Sequence, residues 1–417
     1  MTSLPPGHHR IDSLPKRALI GAQMLFVAFG ALVLMPLLTG LDPNVAFFTA
    51  GLGTLLFQLI TGRLVPVFLA SSFAFIAPVI MGTQQFGLPA TLGGLAACGL
   101  VYVALASLVK LRGVAVIERL LPPVVVGPII IVIGLSLAGI GVNMAMGKTG
   151  DGAKVLVPAG QALLVSMSAL VTTLAVATLA KGIFKLIPII AGIVVGYGLS
   201  LMLGIVSFDA IKAAPWLAMP HFTAPEFRWD AILWMLPVAL APAIEHVGDV
   251  LAIGSVTGRD YLQKPGLHRT LLGDGLATTL AACFGGPPNT TYSEVTGAVT
   301  LTRSFDPRIM TWSAIFAIVL AFVGKLGAAL QSIPSVVMGG IMVLLFGSIA
   351  SVGINTLVRS RVDLSQSRNL VICSVVLVFG IGGMVISLGS FTLQGISLCA
   401  LVAILLNLVL PRDQVRS

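Results

Sequence analysis

The chain has few charged residues. Only 9% of its 417 residues are Asp, Glu, Lys or Arg, whereas 57% are hydrophobic. Soluble domains carry about 25% charged residues, so a soluble protein is excluded and an integral membrane protein is predicted. The net charge of +9 does not indicate an acidic partner such as a nucleic acid, because excess Lys and Arg in a membrane protein sets its topology.

Cysteine is also scarce. The four cysteines stand alone in apolar runs and are Cys98, Cys283, Cys373 and Cys399. Their spacing matches neither a disulfide framework nor a metal site. We therefore interpret all four as small buried hydrophobic residues, and the sequence predicts no metal and no cofactor.

Fourteen apolar segments have the length or position of membrane spans, since a helix needs about 20 apolar residues to cross a bilayer. Residues 1–16 lack the apolar core and cleavage site of a signal peptide, so the first span is retained. The predicted spans are 18–40, 45–62, 65–81, 90–109, 122–144, 160–180, 186–206, 231–257, 270–285, 288–302, 309–330, 335–357, 369–389 and 394–410.

The distribution of Lys and Arg supports this count. With the N-terminus inside, nineteen of the 24 basic residues fall on the cytoplasmic side and four outside, and Lys325 lies within the eleventh span. Cytoplasmic connections carry the excess of Lys and Arg, and a wrong count would mix the two sides. Both termini are therefore predicted to be cytoplasmic.

The two halves of the chain contain a repeat. PPVVVGPIIIVIGLSLAGIGV, from Pro122, and PSVVMGGIMVLLFGSIASVGI, from Pro334, align without a gap and share eight of 21 positions. Each opens the fifth span of a seven-span half, and because seven is odd the second copy enters the membrane from the opposite side. The predicted fold is an all-α polytopic membrane protein with a 7+7 inverted repeat, which is typical of alternating-access transporters.

The third span of each half is short and interrupted. VPVFLASSFAFIAP in the first half and GGPPNTTYSE in the second are rich in Pro, Ser and Thr. Interrupted segments at matching positions of two repeats indicate a binding site near the midplane. Their non-helical backbone must line a cavity or be buried in protein.

Four acidic residues fall within the predicted spans, and each costs roughly 2.5–3.5 kcal/mol at membrane depth. They are Glu245, Asp249, Asp274 and Glu294. Glu245 and Asp249 share a helix face at i, i+4, and two carboxylates so close do not both ionise cheaply. This pair is the predicted proton site. His246 points about 100° away from Glu245 around the helix, which favours a packing role. His246 and Asp274 are further candidates for proton coupling.

Buried carboxylates and free backbone amides suit a flat heterocycle with alternating N–H and C=O groups, such as uracil or a xanthine. Phe73, Tyr292 and Phe346 are aromatic residues that can cover its faces. A simple anion fits less well, because the predicted site contains no basic residue. An enzyme is not supported, since the spans contain no Ser–His pair or metal-ligand cluster.

Several motifs carry a resemblance to a known family. The densest are FGALVLMPLL, SSFAFIAPV, IEHVGD, KPGLHRTLLGDGL and GGPPNTTYSEVTGAVTLTR. Over nearly its full length the chain resembles the nucleobase–ascorbate transporter family, within it the bacterial uracil permeases. The resemblance implies proton-coupled uracil import across the bacterial cytoplasmic (inner) membrane by a homodimer.

The same resemblance implies that two sets of spans have different functions. Spans 1–4 and 8–11 form a substrate-carrying core, spans 5–7 and 12–14 a gate, and the third and tenth spans each contribute a short strand. Glu245 and Glu294 hold the base, and the backbone at Phe73 and Ser293 meets its carbonyls. The residues implied to line the pocket are Ala31, Tyr292 and Phe346.

The domain boundaries follow from the spans. They are a cytoplasmic tail (1–17), the first repeat (18–206), an extracytoplasmic linker (207–230), the second repeat (231–410) and a cytoplasmic tail (411–417).

The chain departs from the uracil permeases at Asp249 and from the family pattern at Ser293 and Val295. The uracil permeases typically have a second histidine at the position of Asp249. Asp249 and Asp274 instead match the purine transporters of the family. Ser293 replaces a common glycine and Val295 an asparagine. Xanthine, uric acid or a broader set of bases is therefore the nearest alternative, and an anion carrier of the same architecture is a second one.

Overall fold

A computed structural model describes residues 13–115, 119, 121–388 and 391–411, and most of them are helical. Most of both predicted tails lies outside these residues. The described helices are α1 (Leu14–Thr39), α2 (Pro43–Ile60), α3 (Ile76–Phe86), α4 (Leu88–Arg112), α5 (Pro123–Ser136), α6 (Ala138–Ala145), α7 (Ala159–Leu179), α8 (Pro188–Met202), α9 (Asp209–Ala213), α10 (Trp229–Met235), α11 (Leu240–Thr257), α12 (Leu267–Cys283), α13 (Ser293–Thr302), α14 (Arg308–Ala321), α15 (Gly324–Gln331), α16 (Ser335–Arg359), α17 (Ser367–Ile381) and α18 (Gly395–Val409). The described strands are β1 (Leu69–Ser71), β2 (Asn289–Thr291), β3 (Val385–Leu388) and β4 (Phe391–Gln394).

Local sequence signals set the first helix boundaries. The Ser13 side chain accepts a hydrogen bond from the Lys16 N–H, and the Asp42 carboxylate accepts one from the Asn44 N–H at 2.7 Å. These are N-caps, which satisfy amides that have no partner inside the helix. α1 ends at Gly40, whose φ of 76° is a conformation that glycine adopts readily.

Prolines interrupt the helices at the two matched segments. Pro66 precedes β1 and Pro288 directly precedes β2, and a proline in a helix interior removes a hydrogen bond and clashes with the preceding turn. The two strands pair with each other in antiparallel register, with Ala70 opposite Thr290. The Ser72 N–H also donates to the Pro288 carbonyl at 2.9 Å. Each interrupted segment therefore provides hydrogen-bond partners for backbone groups of the other.

The apolar helices identify a multi-pass membrane protein. Within the described ranges, seven helical stretches have the length and composition to cross a bilayer, and five shorter apolar helices accompany them. The seven are Leu14–Thr39, Pro43–Ile60, Leu88–Arg112, Pro123–Ala145, Ala159–Leu179, Trp229–Thr257 and Ser335–Arg359. The shorter ones are Phe73–Phe86, Pro188–Met202, Arg308–Ala321, Ser367–Ile381 and Gly395–Val409.

The helices pack in two groups. In the first group α4 and α2 pack on α12, α2 and α1 pack on α14, and α10 packs on α4. In the second group α5 and α7 pack on α16, α8 packs on α7, and α17 packs on α5 and α18. β1 and β2 contact helices of the first group, which places the interrupted segments among α1, α2, α11 and α12.

The two repeat segments lie against each other in the second group. A Cβ atom added at Gly134 of α5 would lie 2.5 Å from the Phe346 carbonyl oxygen and 2.6 Å from the Ala350 nitrogen of α16. A Cβ atom at Gly353 would lie 2.6 Å from the Gly127 carbonyl oxygen. Glycine at these positions lets the two backbones approach closely, as small residues do between membrane helices.

Replacing Gly134 with alanine is expected to destabilise the protein by about 1–3 kcal/mol, because the new methyl group meets backbone atoms that have no room to move. Thermal unfolding in detergent measures the effect. Gly198→Ala on α8 is the matched control, since a Cβ atom there meets nothing within 4 Å. Equal melting temperatures for the two variants would contradict the close packing of α5 on α16.

The cysteine prediction is correct for three residues and wrong for one. Cys98, Cys373 and Cys399 are buried, whereas Cys283 is exposed. Cys283 is the last residue of α12, where the chain turns towards Pro287 and Pro288. Its apolar sequence context predicted burial, but the end of the helix leaves this side chain without cover.

Candidate functional site

The two interrupted segments bring two helix starts to one place. After β1 the chain enters a short helical turn at Phe73–Phe75, and after β2 it enters α13 at Ser293. The first N–H groups of a helix have no partner within it and point towards a ligand. The paired strands therefore present two sets of backbone donors, one from each half of the chain.

Glu245 lies on α11 and is exposed, although the next residues on its helix include the buried His246 and Asp249. Within the described part of the chain its carboxyl group has no hydrogen-bond partner, but it interacts electrostatically with Asp249 and Glu294. A carboxylate facing lipid would be very costly. Its exposure therefore indicates a water-accessible space inside the protein.

Glu294 faces the same region from the start of α13. It is exposed, and the Tyr292 hydroxyl group donates a hydrogen bond to its carboxylate. The Tyr292 ring also meets the Phe73 ring edge to face, with centroids 6.3 Å apart. Glu245, Glu294 and this aromatic pair thus combine two acceptors with an apolar wall.

Behind Glu245 lies a buried polar cluster. The Thr291 hydroxyl group donates to Asp249 Oδ2 at 2.9 Å and lies 3.3 Å from His246 Nδ1. His246 Nδ1 is in turn 3.4 Å from Asp274 Oδ2, which accepts a hydrogen bond from the Thr290 hydroxyl group at 3.3 Å. This cluster connects α11, β2 and α12.

The four remaining predicted pocket residues lie on four different elements. Ala31 on α1 is buried in the same apolar cluster as Tyr292. Phe346 on α16 is buried in the other large apolar cluster, and Phe73 packs against both clusters. Ser293 begins α13, but its side chain lies outside the described part of the structure.

The sequence analysis missed Thr290 and Thr291 as members of the site. Threonines in an apolar segment are common, and the NTTY run was used only to place the broken span and to support the family resemblance. Their position directly before Tyr292 and Glu294 was the available signal. Within the described ranges, no group of three His, Cys, Asp or Glu side chains is placed to hold a metal ion.

The apolar helices and the site together define a class of protein. Two interrupted segments, one from each half of the chain, meet beside exposed carboxylates within a bundle of apolar helices. This arrangement is typical of a secondary transporter of the membrane.

Comparison with known proteins specifies the family. A family model described as "Permease family" matches residues 15–389, and the chain belongs to this family. A "Probable uracil permease" of Haemophilus influenzae is 60% identical over 409 residues, which cover 98% of each chain. The "Uracil permease" of Bacillus caldolyticus is 47% identical over 399 residues, covering 94% of this chain and 91% of that one.

The family match identifies the chain as a transporter and not as an enzyme, and it confirms the resemblance found in the sequence. Among solved structures, the inward-facing murine Solute Carrier 26 family member A9 anion transporter aligns with a TM-score of 0.73 at 13% identity. The alignment covers 97% of this chain and 69% of that one. At this identity the likeness concerns the fold alone.

Proposed function

We propose that the protein is a proton-coupled symporter that imports uracil across the bacterial cytoplasmic (inner) membrane by alternating access. The observation that carries the proposal is the exposed carboxylate of Glu245 facing Glu294 beside two interrupted segments. The relatives that are named uracil permeases, at 47% and 60% identity, support the choice of substrate.

Uracil offers ring N–H groups and carbonyl oxygens around one flat ring. The carboxylates of Glu245 and Glu294 accept from the N–H groups, and the backbone N–H groups at Phe73 and Ser293 donate to the carbonyls. The rings of Phe73 and Tyr292, with Ala31 and Phe346, cover the apolar faces. Hydrogen bonds to charged groups contribute about 1.5–3 kcal/mol each, so two carboxylates give much of the affinity and orientation.

The transported proton resides on the Glu245–Asp249 pair, with His246 and Asp274 behind it. Glu245 is exposed and Asp249 is buried one helical turn away. Coulomb repulsion between two close carboxylates favours a proton on one of them. In this proposal the proton enters with uracil and leaves on the inner side, which returns the carrier to its starting state.

Fourteen segments cross the membrane in a 7+7 inverted repeat with both termini inside. The twelve apolar helical stretches described above support this count, and α12 and α13 occupy the positions of the ninth and tenth spans. We assign spans 1–4 and 8–11 to a moving core and spans 5–7 and 12–14 to a gate and homodimer surface. The two packing groups of helices support this division.

The site is proposed to open to the cytoplasm in this conformation. An exposed stripe runs along α11 from Glu245 through Gly248 and Ala252 to Ser255. These positions recur every three to four residues and so share one helix face. The stripe leads towards Arg259, which the charge distribution assigns to the inner side.

A purine base such as xanthine or uric acid is the second candidate. Asp249 and Asp274 favour it, because both match the purine transporters in the family resemblance. The structure weakens this argument, since both side chains are buried behind β2 and not beside the exposed carboxylates. An anion carrier is less well supported, because the side chains facing this space are acidic.

A binding screen of the purified protein tests the substrate. We expect uracil to raise the melting temperature, since a ligand at 100 times its Kd stabilises a protein by about 2.7 kcal/mol. Thymine, xanthine, hypoxanthine and urate are compared at an acidic and a neutral pH. Stabilisation by xanthine or urate with none by uracil would contradict the uracil assignment.

A further inference from the structure

Thr291 occupies an unusual position in the buried cluster. It is the last residue of β2 and is followed directly by Tyr292, Ser293 and Glu294. Its hydroxyl group contacts both Asp249 and His246 on α11. One side chain therefore joins the segment that carries a proposed substrate contact to the helix that carries the proposed proton site.

The direction of these hydrogen bonds follows from the chemistry of the groups. A hydroxyl group has one proton to donate and two lone pairs that accept. Thr291 donates its proton to Asp249 Oδ2 at 2.9 Å, so it can only accept from His246 Nδ1 at 3.3 Å. His246 Nδ1 then carries the hydrogen, which also faces Asp274 Oδ2 at 3.4 Å.

This arrangement requires an Asp249 oxygen that accepts. If that oxygen is protonated and donates to Thr291, the Thr291 hydrogen needs another acceptor. The other tautomer of His246 would then have to form to supply it; with the proton on the other Asp249 oxygen, Oδ2 still accepts, but a neutral acceptor binds the hydroxyl group less strongly than a carboxylate does. The observed position of β2 therefore matches an Asp249 oxygen without a proton.

Thr290 ties β2 to the other carboxylate. Successive residues of a strand point to opposite faces, and the Thr290 hydroxyl group donates to Asp274 on α12 while Thr291 donates to Asp249 on α11. Both threonines and both aspartates are buried. The strand is held from two sides, so a change at either carboxylate acts on β2.

We propose that Thr291 is a positioning residue that couples the protonation of Asp249 to the substrate segment after β2. Protonation of Asp249 replaces the charged acceptor of the Thr291 hydroxyl group with a neutral one, which weakens this hydrogen bond and loosens β2 in this conformation. Loss of the proton restores the bond and fixes the segment again. The inference rests on the proposed proton coupling and adds the contact through which the coupling passes.

Other titratable groups face this cluster from the surrounding elements. Electrostatic interactions link Asp274 to Asp249, Glu245 and Tyr102, and link Tyr292 to Glu245 and Glu294. Tyr102 lies on α4, whose Cys98 also faces it. Variants of Thr291 itself therefore distinguish its effect from the effects of these titratable groups.

Thr291→Val removes the hydroxyl group and keeps the shape of the side chain. In proteoliposomes we expect it to lower proton-driven accumulation of uracil about tenfold or more, the effect of losing a hydrogen bond to a charged group. Its uracil Kd should change less, because Thr291 does not line the exposed space. The pH profile of uptake should shift to higher pH, since ionised Asp249 loses a donor.

Two comparisons separate coupling from packing. Thr291→Ser keeps a hydroxyl group and should restore both accumulation and the pH profile. In an Asp249→Asn background Thr291→Val should add little, because the coupled acid is already absent. Thr173→Val is the control for loss of a buried threonine hydroxyl group that, among the described residues, bonds only its own helix, through the Ala169 carbonyl oxygen at 2.8 Å.

Defined outcomes overturn the inference. They are an unchanged pH profile and accumulation in Thr291→Val, an equal defect in Thr291→Ser, or a full additional loss in the Asp249→Asn background. If Thr291→Val does not fold, Thr291→Ala removes the same hydroxyl group and is measured in its place, with the same expected results. Net uracil uptake by the wild-type protein without any proton movement would instead remove the proposed coupling, and the inference with it.

Discussion

Glu245→Gln is expected to abolish accumulation of uracil against its gradient, with a loss of about 100-fold or more. Glutamine has nearly the shape of glutamate but can neither carry the transported proton nor offer a charged acceptor to a ring N–H. A hydrogen bond to a charged group is worth about 1.5–3 kcal/mol, or roughly 10- to 150-fold. Loss of proton exchange adds to this, because the carrier can no longer use the gradient.

Uptake of radiolabelled uracil into proteoliposomes with an imposed proton gradient measures this effect. Glu226→Gln is the matched control, because Glu226 is an exposed glutamate of the 207–230 linker. The control should behave as the wild type. A Glu245→Gln variant that still concentrates uracil would show that neither the base nor the proton depends on this carboxylate.

Glu294→Gln is expected to weaken uracil binding by about 10- to 100-fold and to weaken xanthine binding less. The neutral amide is a poorer acceptor than a carboxylate for the ring N–H, and for the Tyr292 hydroxyl group that donates to Glu294. In the family that the chain resembles, glutamate at this position favours the pyrimidine branch and purine carriers usually have glutamine, which leads to the second expectation. The ratio of uracil to xanthine affinity should therefore fall.

Competition binding with both bases on the purified variant checks this prediction. Tyr292→Phe serves as a comparison, because it removes the hydroxyl donor and keeps the ring beside Phe73. We expect a smaller loss of uracil affinity in Tyr292→Phe than in Glu294→Gln. An unchanged uracil affinity in Glu294→Gln would place the base away from α13.

The two predictions report on different functions of the same site. Glu245→Gln should affect accumulation more than exchange, since it removes a proton carrier, whereas Glu294→Gln should affect affinity in both assays. Equal defects in every assay would mean that both residues only hold the base. The proton would then have to reside on Asp249 and the residues behind it.

Part of the site was predictable because the chain has so few charged residues. Glu245 and Glu294 stand out in apolar segments, and the prolines at 66, 287 and 288 mark where the helices break. The i, i+4 spacing also predicted that Glu245 and Asp249 lie near each other. The fourteen-span count and the site assignments remain predictions, and burial of Cys283 was a wrong one.

The roles within the carboxylate pair were not predictable. Helical spacing places Glu245 and Asp249 on one face, yet Glu245 is exposed and Asp249 is buried. The difference comes from β2, which is distant in sequence and covers Asp249 with the Thr291 hydroxyl group. A pattern within one helix cannot indicate which part of it a strand from elsewhere will cover.

The sequence by itself determined that this chain spans a membrane, where prolines interrupt its helices, and which acidic residues stand in apolar segments. These properties follow from composition, from the backbone chemistry of proline and from the cost of charge in hydrocarbon. Only the tertiary structure decided that Glu245 and Glu294 are both exposed and interact electrostatically, and that Asp249 is tied to β2. Both arrangements depend on contacts between residues tens of positions apart, which exist only after the helices have packed.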